Sequence, residues 1–212
     1  MRKTILILIT GCLIVFAFEA NAQKRQGRRA LGALKIGVGI ASFSPLDAEE
    51  GGSRVGFHIG LAPAFSLADK FYIKPEVAYS LRGGKADYDL NNLGVFDGEI
   101  TYKINYLEFP VMLGYKVTDR FHLEFGVYGA IPLVTNFEFE GDFASGYGSF
   151  DQEAIHDFDY GLAGGVKLGP IGIRYYYGLS KVASNLESEA FLGDATQHTI
   201  QIYLQRSRSR RF

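Results

Sequence analysis

Charged side chains recur at every second position along much of this chain, and that spacing limits the chemistry they can do. Lys74 and Glu76 stand two apart, as do His122 and Glu124. Lys35, Glu108, Lys116, Asp159 and Arg174 each have an apolar or aromatic neighbour on at least one side. Two-residue spacing is the period of a strand, which sends alternate side chains to opposite faces. All nine charges, Lys35, Lys74, Glu76, Glu108, Lys116, Glu124, Asp159, Lys167 and Arg174, then fall on one face. They are expected to neutralise one another there as a network of ion pairs, because a charge buried without a partner is very costly.

Other reactive residues lack a telling arrangement. Ser145, Ser149, Asp151, His156 and Asp157 contain the types of a hydrolytic triad, with His156 as the base. No spacing ties them together, and the expected catalytic set is none. Asp87-Tyr-Asp-Leu-Asn91 begins like a calcium loop, but Asn92 stands where the loop needs glycine and Gly98 where it needs the final glutamate. His58, His122 and His198 are far apart and show no metal-ligand spacing. No metal and no cofactor are expected. The single cysteine, Cys12, lies in an apolar N-terminal run, so thiol chemistry is not expected downstream.

The elements that carry these charges are eight candidate strands, at 33–43, 54–66, 70–82, 100–117, 120–136, 157–168, 171–180 and 196–205. In Phe71 to Arg82, residues Phe71, Ile73, Val77, Tyr79 and Leu81 share one face, and Lys74, Glu76, Ser80 and Arg82 the other. The apolar face continues through Ile36, Val38 and Ile40, through Leu107, Phe109, Val111 and Leu113, and through Ile200, Ile202 and Leu204. Short turns (66–70, 117–120 and 168–171) alternate with long connections (44–53, 83–99, 137–156 and 181–195). Alternating strands, short turns on one side and long loops on the other predict an all-β fold, an eight-stranded antiparallel up-and-down transmembrane barrel. Its apolar face meets lipid and its charged face fills a lumen only just wide enough for side chains. A soluble barrel of lipocalin type would reverse the two faces. Bulky Phe, Tyr and Ile side chains are too voluminous to pack inside eight strands, so the charged face is taken as the interior.

Pro63, Pro75, Pro110 and Pro132 oppose this reading, since a closed barrel has no edge for a missing N–H. They are expected at bulges or strand ends. A bulge would invert the parity beyond it, most plainly in the overlong strands 100–117 and 120–136.

Residues 1–22 read as an export signal. Arg2 and Lys3 precede the apolar run Ile5 to Phe18, and Ala20-Asn21-Ala22 is a cleavage site between Ala22 and Gln23. A rival reading takes Ile9-Thr10-Gly11-Cys12 as a lipid-attachment box. A basic segment, 23–32, leads into the barrel at 33–205, and a basic tail, 206–212, follows it. The full chain carries a formal net charge of −1, which conceals a segregation. The long connections collect Asp47, Glu49, Glu50, Asp87, Asp89, Glu138, Glu140, Asp142, Asp151 and Glu153, while the two ends collect Lys24, Arg25, Arg28, Arg29, Arg206, Arg208, Arg210 and Arg211. Nucleic acid is not an expected partner of an exported chain.

Tyr106-Leu-Glu-Phe-Pro-Val-Met-Leu-Gly-Tyr-Lys116 resembles a signature of the outer-membrane β-barrel family of Bacteroidota that includes the PorT-like proteins. Phe71 to Ser80, Gly161 to Val166 and Ile173 to Leu179 fit the same family. The resemblance implies a cell outer-membrane location, and the alternation of short turns and long loops predicts that the turns and both termini face the periplasm. The resemblance also implies a role beside other envelope or secretion-system proteins, since PorT itself belongs to type IX secretion. The expected function is therefore a non-enzymatic, monomeric outer-membrane protein with a filled lumen. It would have membrane lipids as neighbours and act through surface loops or periplasmic ends in envelope structure, adhesion or secretion-system assembly. The competing readings are a lipid-modifying enzyme of the outer rim and a narrow channel.

Overall fold

The computed structural model of the protein describes residues 34–44, 50–89, 97–141, 145–149, 156–183 and 194–205. The export signal at 1–22 with its Ala22–Gln23 junction, the basic segment 23–32, the tail 206–212 and Asp151 lie outside the described residues. The eight barrel strands are β1 (Leu34–Ser44), β2 (Arg54–Leu61), β3 (Phe71–Pro75 and Val77–Asp89), β4 (Asp97–Glu108 and Val111–Lys116), β5 (Phe121–Gly141), β6 (Asp159–Leu168), β7 (Ile171–Lys181) and β8 (Thr196–Gln205). Each pairs antiparallel with the next, and β1 pairs with β8, from Lys35 opposite Gln205 to Ser44 opposite Thr196. That last ladder closes the sheet into a barrel and removes its edges.

Alternation is strict where it can be tested. In β7 every second residue from Gly172 to Ser180 is buried, while Ile171, Ile173, Tyr175, Tyr177 and Leu179 are exposed. The outer surface is a band of Leu, Ile, Val and Phe carried by all eight strands. An apolar exterior around an ionic interior is the reverse of a soluble ligand-binding barrel and matches the expected sidedness.

The four prolines sit at the irregularities of the sheet. Constant register from Leu61–Val77 to Phe65–Ile73 sets Pro63 opposite Pro75, so two residues without N–H share one rung. Pro110 falls in the gap between the two halves of β4. The Glu76 N–H still donates to its carbonyl at 2.8 Å, while Pro110 has none to return. Next to Pro132 the register of β5 against β4 slips by one residue. Leu133 and Val134 are both exposed, at 41% and 46%, and Thr135 is buried. This is the expected bulge, and it inverts the parity of β5 beyond it. At Gly126 an added Cβ would lie 2.0 Å from the Val111 carbonyl oxygen, so only glycine lets β4 and β5 approach there. Gly169, at φ +58°, makes the tight β6–β7 turn.

The long connections depart from expectation. Much of 83–99 and 137–156 is strand, not loop. β3 and β4 stay paired out to Asp89 and Asp97, β5 follows β4 to Gly141, and Ser145–Ser149 adds a further strand on β5. Glu50–Gly52 pairs with β3 on the other flank. β5 outruns its last partner on β6, Ala130 opposite Asp159, by residues 131–141, roughly 35 Å of extended chain. A sheet therefore rises from one side of the barrel at the long-loop end. Its backbone pairing extends what sequence pattern alone truncates, because Gly, Asp and Asn there read as turn formers.

Candidate functional site

The lumen is filled in layers. Nearest the short turns, Glu76 and Glu124 face three cations. Lys35 Nζ lies 3.0 Å from Glu76 Oε2, and Lys74 Nζ lies 3.3 Å from Glu76 Oε1 and 2.5 Å from Glu124 Oε1. Arg174 grips Glu76 with both nitrogens, Nη1 to Oε2 at 2.9 Å and Nη2 to Oε1 at 2.8 Å, and its Nη2 also donates to Glu124 Oε2 at 2.7 Å. The hydroxyls of Tyr72 and Tyr203 donate to Glu124 at 2.8 and 3.1 Å. The Tyr203 ring lies 4.5 Å from the Lys35 ammonium and 5.3 Å from the Arg174 guanidinium, adding cation–π attraction where water is excluded.

A second layer lies closer to the long loops. Arg82 Nη2 is 2.6 Å from Glu108 Oε1, and its Nη1 is 3.6 Å from Asp159 Oδ2. Its guanidinium sits 4.7 Å from the ring of Tyr176, 5.1 Å from Tyr128 and 5.6 Å from Tyr106. Charge and three aromatic faces hold it, since none of its nitrogens makes an aligned hydrogen bond to a described residue. Ser80 donates to Glu108, and Ser180 donates to Asp159 at 2.5 Å.

These eight groups are within about 8% of full burial. Lys35, Lys74, Arg82 and Arg174 balance Glu76, Glu108, Glu124 and Asp159, so the buried set is neutral. In the turn-end layer Glu76 and Glu124 accept hydrogen bonds at both oxygens, whereas in the second layer Asp159 Oδ2 and the Arg82 nitrogens are held by charge without an aligned hydrogen bond. The arrangement locks neighbouring strands together across the lumen.

Above the second layer most of the lumen lining is apolar, with Gln197 a buried polar side chain in register with Phe43. Phe43, Tyr102, Ile104, Val182, Ala183 and Ala195 are buried together. The Val182 N–H donates to the Ala195 carbonyl at 2.9 Å, continuing the β7–β8 ladder one rung past Lys181 and Thr196, and the His156 N–H donates to the Val182 carbonyl at 3.2 Å.

Seven of the nine expected charges, Lys35, Lys74, Glu76, Glu108, Glu124, Asp159 and Arg174, meet in the two layers. Lys116 and Lys167 do not. Both face the lumen at its turn end, where they are half-buried, because they are the last inward positions before the turns. Arg82 is the member missed. Its place in the Lys74, Glu76, Ser80, Arg82 alternation signals it, but the Gly83-Gly84 pair that follows reads as a strand end. The buried tyrosines of the second layer were also unassigned, since aromatics in barrel strands are first read as lipid-facing.

Ser145 and Ser149 lie on the added strand beside β5, and His156 and Asp157 are exposed at the approach to β6. Asp87 and Asp89 pair with Glu99 and Asp97 in regular strand, not in a calcium loop. Among the described residues no group of three or more His, Cys, Asp or Glu could hold a metal ion. His58 is buried under the edge of Tyr203, with ring centroids 6.5 Å apart. His198 faces outward, with its Nδ1 2.8 Å from the Tyr175 hydroxyl oxygen.

No curated protein matches the chain. Among solved structures, it is similar to Ail, the attachment invasion locus protein of Yersinia pestis. The identity is 13% and the TM-score 0.39, over 82% of this chain and 95% of that one. It is similar also to Neisserial surface protein A, at 11% identity and a TM-score of 0.45, over 83% and 96% of the two chains. The family model for the outer membrane protein β-barrel domain matches residues 21–184. With that match and a closed, apolar-walled barrel of eight strands, the chain belongs to the outer membrane protein β-barrel domain family.

Proposed function

We propose that this outer-membrane barrel is a non-enzymatic scaffold, which neither conducts nor catalyses and acts through the surfaces at its two ends. The observation that carries the reading is the neutral, ion-paired interior: Arg174, Glu76 and Glu124 close one layer and Arg82, Glu108 and Asp159 the next. A lumen committed to its own ion pairs offers neither a water path nor a reactive group, so recognition is left to the raised sheet at one end and the turn end at the other. The barrel is monomeric in this reading, with both termini in the periplasm. The long connections, rich in Asp and Glu, would then meet the outside, and the basic ends would face the anionic inner leaflet.

Within the family, the Tyr106 to Lys116 signature supports kinship with the PorT-like proteins of Bacteroidota, and with it a role in envelope structure, adhesion or secretion-system assembly beside other envelope proteins. The test is complementation of a deletion strain by a barrel lacking residues 137–156. The reading expects that barrel to fold and insert but to lose the phenotype. Full rescue by the truncated barrel would overturn the assignment of function to the raised sheet.

A further inference from the structure

The two mouths of the lumen differ. At the long-loop end Val182, Ala183 and Ala195 are buried, whereas at the turn end two lysines and a histidine line the opening. Lys116 on β4 is in register with His122 on β5, and His122 with Lys167 on β6. All three take the inward parity of their strands and are half-buried. In-register neighbours on one face stand ~5 Å apart at Cβ, so the two lysines flank His122 at about twice that spacing. Two like charges at one mouth call for negative charge between them.

The protein does not supply it among the described residues. Neither Lys116 nor Lys167 forms an ion pair there. Glu124 lies two residues further along β5 on the same face, but its oxygens already take Lys74, Arg174, Tyr72 and Tyr203. The layer behind the row holds three cations against two carboxylates, so it adds positive potential at the mouth instead of cancelling it. His122 is fixed as the floor of the row. Its Nδ1 lies 3.3 Å from the Tyr72 hydroxyl, and its Nε2 lies 3.3 Å from the Asp119 carbonyl oxygen.

β4 and β6 are two strand spacings apart, about 10 Å. Two lysines reaching toward each other across β5 can close on one small anion with several acceptor oxygens. We propose that the turn-end mouth binds a phosphate group through the ammonium groups of Lys116 and Lys167, above His122. The site depends on the barrel alone and not on the role given above to the raised sheet. A phospholipid headgroup and a soluble phosphate share this chemistry.

The test uses the ¹⁵N-labelled full barrel in zwitterionic detergent and in phosphatidylcholine nanodiscs, with and without phosphatidylglycerol, and follows the Lys116, His122 and Lys167 amide signals. Inorganic phosphate should shift them saturably, at concentrations where chloride does not. The Lys116→Gln/Lys167→Gln double variant should weaken the response at least tenfold, while Lys116→Arg/Lys167→Arg keeps it. The same shifts on adding phosphatidylglycerol would identify a lipid headgroup as the source, and shifts with free phosphate alone a soluble one. A heat-dependent change of gel mobility checks that the variants fold, and if the glutamine pair does not fold, the wild-type titration decides. Absence of a saturable shift from both sources, an equal response to chloride, or undiminished binding by a folded glutamine variant would overturn the proposal.

Discussion

Arg174 and Glu76, 98 residues apart in sequence, meet across the lumen in a two-pronged hydrogen bond of 2.8 and 2.9 Å. The arginine comes from β7 and the glutamate from the break in β3 at Pro75. Both are fully buried, so each depends on the other for the solvation it has lost. Glu76→Ala should therefore cost roughly 3–5 kcal/mol, the range for removing one partner of a buried pair, read as a shift in urea unfolding of the detergent-solubilised barrel. Glu76→Leu combined with Arg174→Met should recover much of that loss. An unchanged midpoint in the single variant would show that the pair contributes nothing.

The apolar exterior makes an opposite demand. Val38 lies mid-strand in β1, between Phe57 on β2 and Ile202 on β8, and is 53% exposed. Val38→Arg should destabilise the barrel by about 2–4 kcal/mol if that level is the bilayer midplane. Refolding into phosphatidylcholine vesicles measures it. A neutral result would mean that Val38 does not face lipid.

Sidedness can be read with single cysteines, since the chain has only Cys12 and that residue lies in the proposed export signal. Tyr147→Cys, on the strand added beyond β5, should react with an impermeant maleimide in intact cells. Thr118→Cys, in the β4–β5 turn, should react only after the outer membrane is opened. The reverse pattern would invert the proposed orientation.

The alternation of side chains was enough to give strand number, closure and the sidedness of the barrel wall, because a period of two survives a proline that merely interrupts a ladder. Pro63 and Pro75 share a rung, and Pro110 fills a gap, so parity passes through β3 and β4 unchanged. Pro132 differs: Leu133 beside it is an extra residue, and from Thr135 onward inward and outward exchange. The raised sheet was not legible. Its residues, such as Asp87 to Asp89 and Ser145 to Ser149, have weak strand propensity, and their extended form comes from pairing with neighbours already in register. The ionic layers were legible as a face but not as partners, since pairing Arg174 with Glu76 needs the closed barrel. Arg82 was hidden by the glycines after it.

The filled lumen should also survive loss of the reactive residue at its mouth. His156→Ala removes an exposed imidazole, but the hydrogen bond that ties this segment to Val182 is made by its backbone N–H. The variant should keep the unfolding midpoint and the phenotype of the parent. Loss of a lipid-modifying activity in it would instead restore the enzyme reading.

Single-channel recording in planar bilayers tests the central claim most directly. With eight buried charges that sum to zero and Val182, Ala183 and Ala195 buried beyond them, the purified barrel should show no discrete conductance steps at moderate voltage. Steps should remain absent when the raised sheet is deleted, since the ionic layers lie below it. Stable, reproducible steps from the folded wild-type protein would contradict a filled lumen and with it the scaffold reading.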